Sequence, residues 1–167
     1  SPDLFPFPSV QTFKPLKSFM NFPRKSGILL HPTSLPGPYG MGEIGSAARQ
    51  FIETLSSAGQ TYWQVLPLGP TGYADSPYQA LSTFAGNPML ISFEDLVEEG
   101  LLKQDELKAV PSFPTDRVDY GPVLEFRQRI LDDVCKRFSR RASAQLKDAF
   151  QTFCNQEAEW LDDYALF

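Results

Sequence analysis

Two short apolar runs flanking one helical stripe constrain this chain more than any other feature. Gly27–Leu30 (GILL) is bounded by turn residues and reads as a fully buried parallel strand. From Ser46, read as an N-cap, Phe51, Ile52 and Leu55 fall on one helical face that ends before Gly59. Tyr62–Leu66 (YWQVL) is the second strand. Strand, helix and strand within about 40 residues make a βαβ unit. Its right-handed crossover leaves the two strands parallel.

The rest of the chain extends this unit. Met89–Ser92 is a short strand-like run, and Phe93–Gly100 reads as a brief acidic helix stopped by Gly100. Residues 103–120 read as irregular, broken by Pro111 and Pro114. Pro122 suits a first helical turn, and the pattern is helical from there onward. Val123, Phe126, Ile130, Val134 and Phe138 form one apolar stripe; Leu146, Ala149, Phe150 and Phe153 form another. Parallel strands followed by helices are the start of a (β/α) barrel or of a doubly wound sheet. Two or three strands cannot close an eight-stranded barrel, which takes ~250 residues.

Composition narrows the class of partner. The 167 residues are 42% apolar and 21% charged, as in a globular domain, and no apolar run is long enough to span a bilayer. A net charge of -5 argues against a nucleic-acid partner. Cys135 and Cys154 sit in helical patterns and read as buried or semi-buried free thiols. Eight of the 15 prolines fall between Pro2 and Pro38. Residues 1–25, rich also in phenylalanine, therefore read as an extended arm laid along the body. The start at Ser1 and the stop at Phe167, within an apolar helical run, both look cut. The start suits removal of an organelle presequence or an artificial cut equally.

In α/β folds the working loops leave the carboxyl ends of the strands. Here they are His31–Gly45 and Pro67–Pro88, both stiffened by proline. The second loop offers Tyr73, Asp75, Ser76, Tyr78, Gln79 and Asn87. Rings and hydroxyls together suit a sugar, whose apolar face lies on a ring while its hydroxyls need directional partners. The structural alternative has Tyr78 filling a crevice, Asp75 and Ser76 making turn hydrogen bonds, and Asn87 starting a strand; composition alone favours it. His31, at a strand end, reads equally as a site residue or as an imidazole hydrogen-bonded under its loop. No phosphate loop, nucleophile elbow or set of metal ligands is present. The carboxylate pairs Asp132–Asp133 and Asp162–Asp163 and the offset Glu157 and Glu159 read as solvated faces. Glu43 and Asp75 lie on the two loops and could approach one another, but neither is identifiable as a glycosyl nucleophile or acid.

The segments GILLHPTSLPGPYGMGEIG (Gly27–Gly45) and YWQVLPLGPTGYADSPYQALSTFAGNP (Tyr62–Pro88) resemble the amylomaltases, the 4-α-glucanotransferases or disproportionating enzymes. TDRVDYGPV (Thr115–Val123) and EAEWLDDYALF (Glu157–Phe167) resemble the same family. The resemblance implies the N-terminal portion of a (β/α)8 TIM barrel, α/β in class, with a helical insertion and with the barrel incomplete in this chain. It divides the chain into the arm 1–25, a barrel start 26–110 carrying strands 1 and 2 and the substrate loop, and a truncated helical insertion 111–167. It implies transfer of α-1,4-glucan segments between maltooligosaccharides by retaining double displacement, without an organic cofactor. The family's catalytic carboxylates lie later in its sequence, so no catalytic residue is assigned here. By the motif D-S-P-Y, Tyr78 matches the tyrosine that stacks on the sugar beside the scissile bond, and Ser76 matches a neighbour contacting the glucan. Tyr73 matches a tyrosine of a second glucan groove, and Asp75 is a loop-orienting candidate. The expected partners are α-1,4-glucans and the missing C-terminal part of the barrel, with no nucleic acid and no membrane. The expected location is the plastid stroma, the alternative being cytoplasmic. A non-catalytic glucan-binding fragment, or a relic that folds only beside its missing half, are the rival readings.

Overall fold

The structure, a computed structural model, describes residues 23–72 and 75–166. The arm expected over residues 1–25 falls almost wholly outside them, as does Tyr73. Strand β1 (Gly27–Leu29) pairs in parallel with β2 (Tyr62–Gln64), Ile28 opposite Trp63. Helix α1 (Ser46–Ser57) makes the crossover. It packs on the sheet through Phe51, whose ring meets Trp63 edge-on at 5.1 Å, and the Trp63 indole N–H donates to the Leu30 carbonyl at 2.7 Å. Gly27 is required where the strands approach, since a Cβ there would lie 2.4 Å from the Tyr62 carbonyl oxygen.

The parallel pairing is as expected, but the burial is not. All of β1 is exposed, with Ile28 at 43% and Leu29 at 58%, and Tyr62 is exposed on β2. Among the described residues only two strands form the sheet, so much of its apolar surface has no cover. Ser46 is also not the N-cap of α1. Gly45 takes that place, and the Ser46 hydroxyl reaches out to Glu94 Oε2 at 2.5 Å.

The core lies beside the sheet, among the first loop, α2 (Phe93–Glu98) and α3 (Tyr120–Arg141). The expected stripe of α3 is largely correct: Val123, Phe126, Ile130 and Val134 are buried and Phe138 is half-buried. Leu131 and Arg127 widen it to two adjacent rows. Tyr39 and Met41 from the first loop, with Phe93 and Leu102, fill the other side. Gly100 ends the α2 turn at φ +75°, as a stop glycine should.

Three expectations are only partly met, the first because of competition from local chemistry. Met89–Ser92 is not a strand, because Asn87 Oδ1 accepts the Met89 N–H (2.9 Å) and Pro88 opens a 3₁₀ turn, Pro88–Leu90. Only Ile91 keeps a strand-like contact, a parallel bridge to Ile44. Residues 104–107 form another 3₁₀ turn within the segment read as irregular. In α4 (Ala144–Gln156), capped by Ser143, the expected stripe is present, yet Phe150 and Phe153 remain exposed and only Leu146 is half-buried. Helix α5 (Ala158–Leu166) follows. Cys135 and Cys154 are free thiols, but Cys135 is exposed on α3 rather than buried. No helix among the described residues is long and apolar enough to cross a membrane.

Candidate functional site

The loops leaving β1 and β2 meet over a cavity of about 210 Å³ lined by His31, Thr33, Thr71, Asp75, Asn87 and Tyr120 among others. Each polar group arrives for a local reason. His31 ends the first strand run and heads a 3₁₀ turn, Pro32–Ser34. Its Nδ1 lies 2.8 Å from Thr33 Oγ1 and accepts the Thr33 N–H at 3.4 Å. That leaves the proton on Nε2, which is buried and has no partner among the described residues. The ring is thus tied under its loop, and its other edge lines the cavity.

Asp75 adopts a left-handed φ of +55°, which aspartate tolerates better than most residues. Its side chain lines the cavity and makes no hydrogen bond among the described residues, nor does that of Ser76. The turn is closed instead by backbone, Gln79 N–H donating to the Ser76 carbonyl at 3.2 Å. Tyr78 does not fill a crevice. Its ring stands 72% exposed at the tip of this turn. A free ring beside a half-buried hydroxyl and carboxylate can stack on a pyranose while polar groups meet its edge.

Glu43 and Asp75 are not paired. Glu43 is buried, accepting from Arg127 Nη1 at 2.6 Å through Oε1 and from the Phe93 N–H at 3.3 Å through Oε2. Burial raises its pKa above the usual carboxylate value, and Arg127 opposes that rise. It belongs to the core and not to the cavity. Asp132, Asp133, Asp162 and Asp163 are exposed, as read. Among the described residues no group of three or more His, Cys, Asp or Glu side chains could hold a metal.

Tyr120 and Thr71 were not singled out from the sequence. Tyr120 opens α3 from far along the chain, so only its place inside the motif TDRVDYGPV pointed toward the site. Asn87 serves twice, capping the Pro88–Leu90 turn and lining the cavity.

Known proteins resemble this chain in sequence and fold. A family model described as 4-alpha-glucanotransferase matches residues 30–167. The 4-alpha-glucanotransferase of Thermus thermophilus is 51% identical over 148 residues, 89% of this chain and 29% of that protein. The chloroplastic/amyloplastic 4-alpha-glucanotransferase of Solanum tuberosum is 43% identical over 150 residues, 86% of this chain and 26% of that protein. An amylomaltase from Streptococcus agalactiae, solved in complex with acarbose, superposes with a TM-score of 0.77 at 37% identity, over 86% of this chain and 28% of that one. The chain therefore spans less than a third of the length of these relatives.

Proposed function

The chain belongs to the 4-alpha-glucanotransferase family, and from that premise we propose that it is the N-terminal part of an enzyme moving α-1,4-glucan segments between maltooligosaccharides. The observation that carries this reading is the exposed Tyr78 on a turn with Asp75 and Ser76, at the carboxyl end of β2, in a chain of this family. In the reaction this chain binds donor glucan. Tyr78 stacks on the sugar beside the scissile bond, Ser76 contacts its edge, and Asp75 orients the turn; Tyr73 serves a second glucan groove.

Retaining transfer needs a carboxylate nucleophile and an acid/base partner on either side of the anomeric carbon. Among the described residues Glu43 is held by Arg127, the paired aspartates face solvent, and Asp75 of the cavity lining is assigned to the turn rather than to the chemistry. The nucleophile and its acid/base partner belong to the part of the enzyme that this chain does not span. The two parallel strands are then the first two of a (β/α)8 barrel, with 26–110 as its start and 111–167 as a helical insertion. The bare faces of β1 and β2 fit that reading, since a closed barrel covers them. The plastid location has the potato protein's name behind it, and the alternative is cytoplasmic.

Incubating the whole protein with maltotriose tests the proposal. Release of glucose together with longer maltodextrins is the expected result. Binding of maltotriose without turnover would replace it with the non-catalytic glucan-binding reading.

A further inference from the structure

The turn bearing Asp75, Ser76 and Tyr78 belongs to a long loop with few internal ties. Among the described residues Ser82 Oγ accepts from the N–H groups of Phe84 and Ala85 at 3.2 and 3.1 Å. The Asn87 N–H closes the loop base on the Leu68 carbonyl at 2.8 Å. Gly69 and Gly72 let the loop fold back closely on Ala80 and Gln79, and a grip from outside adds to these ties.

Phe84 supplies that grip. Although 70% exposed, its ring lies on the indole of Trp160 in α5, centroids 5.8 Å apart and planes 25° from parallel. The indole has two further partners close in sequence. Its Nε1–H donates to Glu157 Oε2 at 2.5 Å, and Tyr164, one turn on, meets it at 6.1 Å. Glu157 caps α4 immediately before α5, and Trp160 and Tyr164 share one face of α5. Helix α5 buries no residue fully, so this half-buried aromatic face is its main engagement with the loop.

We propose that Trp160 is a positioning residue for the glucan site: by stacking under Phe84 it fixes the loop and thereby the place where the Tyr78 ring stands. The inference rests on the glucanotransferase reading for its substrate, though not for the contact itself. It gives α5, remote in sequence from the strands, a role in substrate binding. Because Trp160 acts through Phe84, its loss should fall on binding rather than on the chemical step.

The test uses the whole protein. Trp160→Ala should raise KM for maltotriose roughly 3- to 10-fold, the range of one aromatic pair, with kcat within about twofold. Trp160→Phe, which keeps a stacking face, should restore most of the loss. In a Tyr78→Ala background Trp160→Ala should add nothing, because the ring it positions is gone. Phe84→Ala, which leaves α5 intact, should reproduce the effect from the loop side. Amide exchange across Gln79–Ala85 should quicken severalfold in Trp160→Ala while α1 is unchanged. A full additional loss on the Tyr78→Ala background, no rescue by phenylalanine, or unchanged exchange in the loop overturns the proposal. If the unaltered protein does not turn over maltotriose, the functional reading falls, and the exchange measurement still decides whether Trp160 holds the loop.

Discussion

Arg127 lies at 0% exposure with its guanidinium reaching three parts of the fold at once. It donates to Glu43 of the first loop and from Nη2 to the Ile91 carbonyl at 2.7 Å, and it lies over the Phe93 ring at 4.3 Å. Burial lowers its pKa and Glu43 opposes that fall. Removing one partner strands the other charge in the core. Glu43→Ala should therefore destabilise the fold by about 3–5 kcal/mol, read as a lower urea midpoint at unchanged slope. The pair Glu43→Leu with Arg127→Met should recover much of that loss. Tyr78 is the opposite case, a large ring with little packing to lose. Tyr78→Ala in the whole enzyme should leave the melting temperature unmoved and weaken glucan binding by about 1–3 kcal/mol. Unchanged kcat/KM on maltotriose would remove Tyr78 from the site. A periodicity argument finds Val123 and Phe126 because apolar side chains are buried one at a time. It misses Arg127, since a charged residue is buried only for a partner, and Glu43 lies 84 positions away.

Between elements, packing and ion pairs share the work. Gly40 stands at φ +82°, and a Cβ there would fall 2.5 Å from Val123 Cγ2 and 2.8 Å from the Phe113 ring. Gly40→Ala should cost about 1–3 kcal/mol by strain and overpacking, measured by denaturant unfolding. Arg49 of α1 grips Asp95 of α2 with two bonds, at 2.8 and 3.2 Å, and Glu106 holds Arg137 and Arg141 of α3. Asp95 is held below its usual value chiefly by the hydrogen bond from Arg49, and Glu106 chiefly by that from Arg137. The unfolded chain takes protons at these sites first as acid is added. Their stabilisation is thus present above about pH 4 and lost as pH falls through the lowered values. Glu43, raised by burial, works in the opposite sense. Glu106→Gln should flatten the fall of melting temperature below about pH 4 and leave its slope near neutrality unchanged. The elements themselves were largely legible: pairing of β1 with β2, α1, α2 and α3 follow from period and stops. Met89 was not, because one Asn87 side chain outweighs strand propensity. The cluster of Asp75, Ser76 and Tyr78 was legible as a loop. The arrival of Tyr120 at the same cavity was not, since it depends on how α3 packs.

For the molecule as a whole, the uncovered sheet is the main departure from expectation. Burial of a strand is decided by its neighbours, and local pattern cannot supply them. Ile28 and Leu29 read as core yet face solvent. If the barrel reading is right, Ile28→Asp should leave the melting temperature of the 167-residue chain nearly unchanged, while the same substitution should prevent the whole enzyme from folding. Equal tolerance in both would mean that nothing packs on this face. The position of the core, gathered between Tyr39 and Ala142 away from the sheet, also bears on the order of events during synthesis. At roughly 5–20 residues per second a ribosome makes the stretch from Tyr39 to Ala142 in about 5 to 20 seconds. The helices around Arg127 pack on partners that lie within this stretch. On the barrel proposal the strands wait for partners made later, and a nascent chain stalled in that interval would show any chaperone a helical body carrying one unfinished sheet.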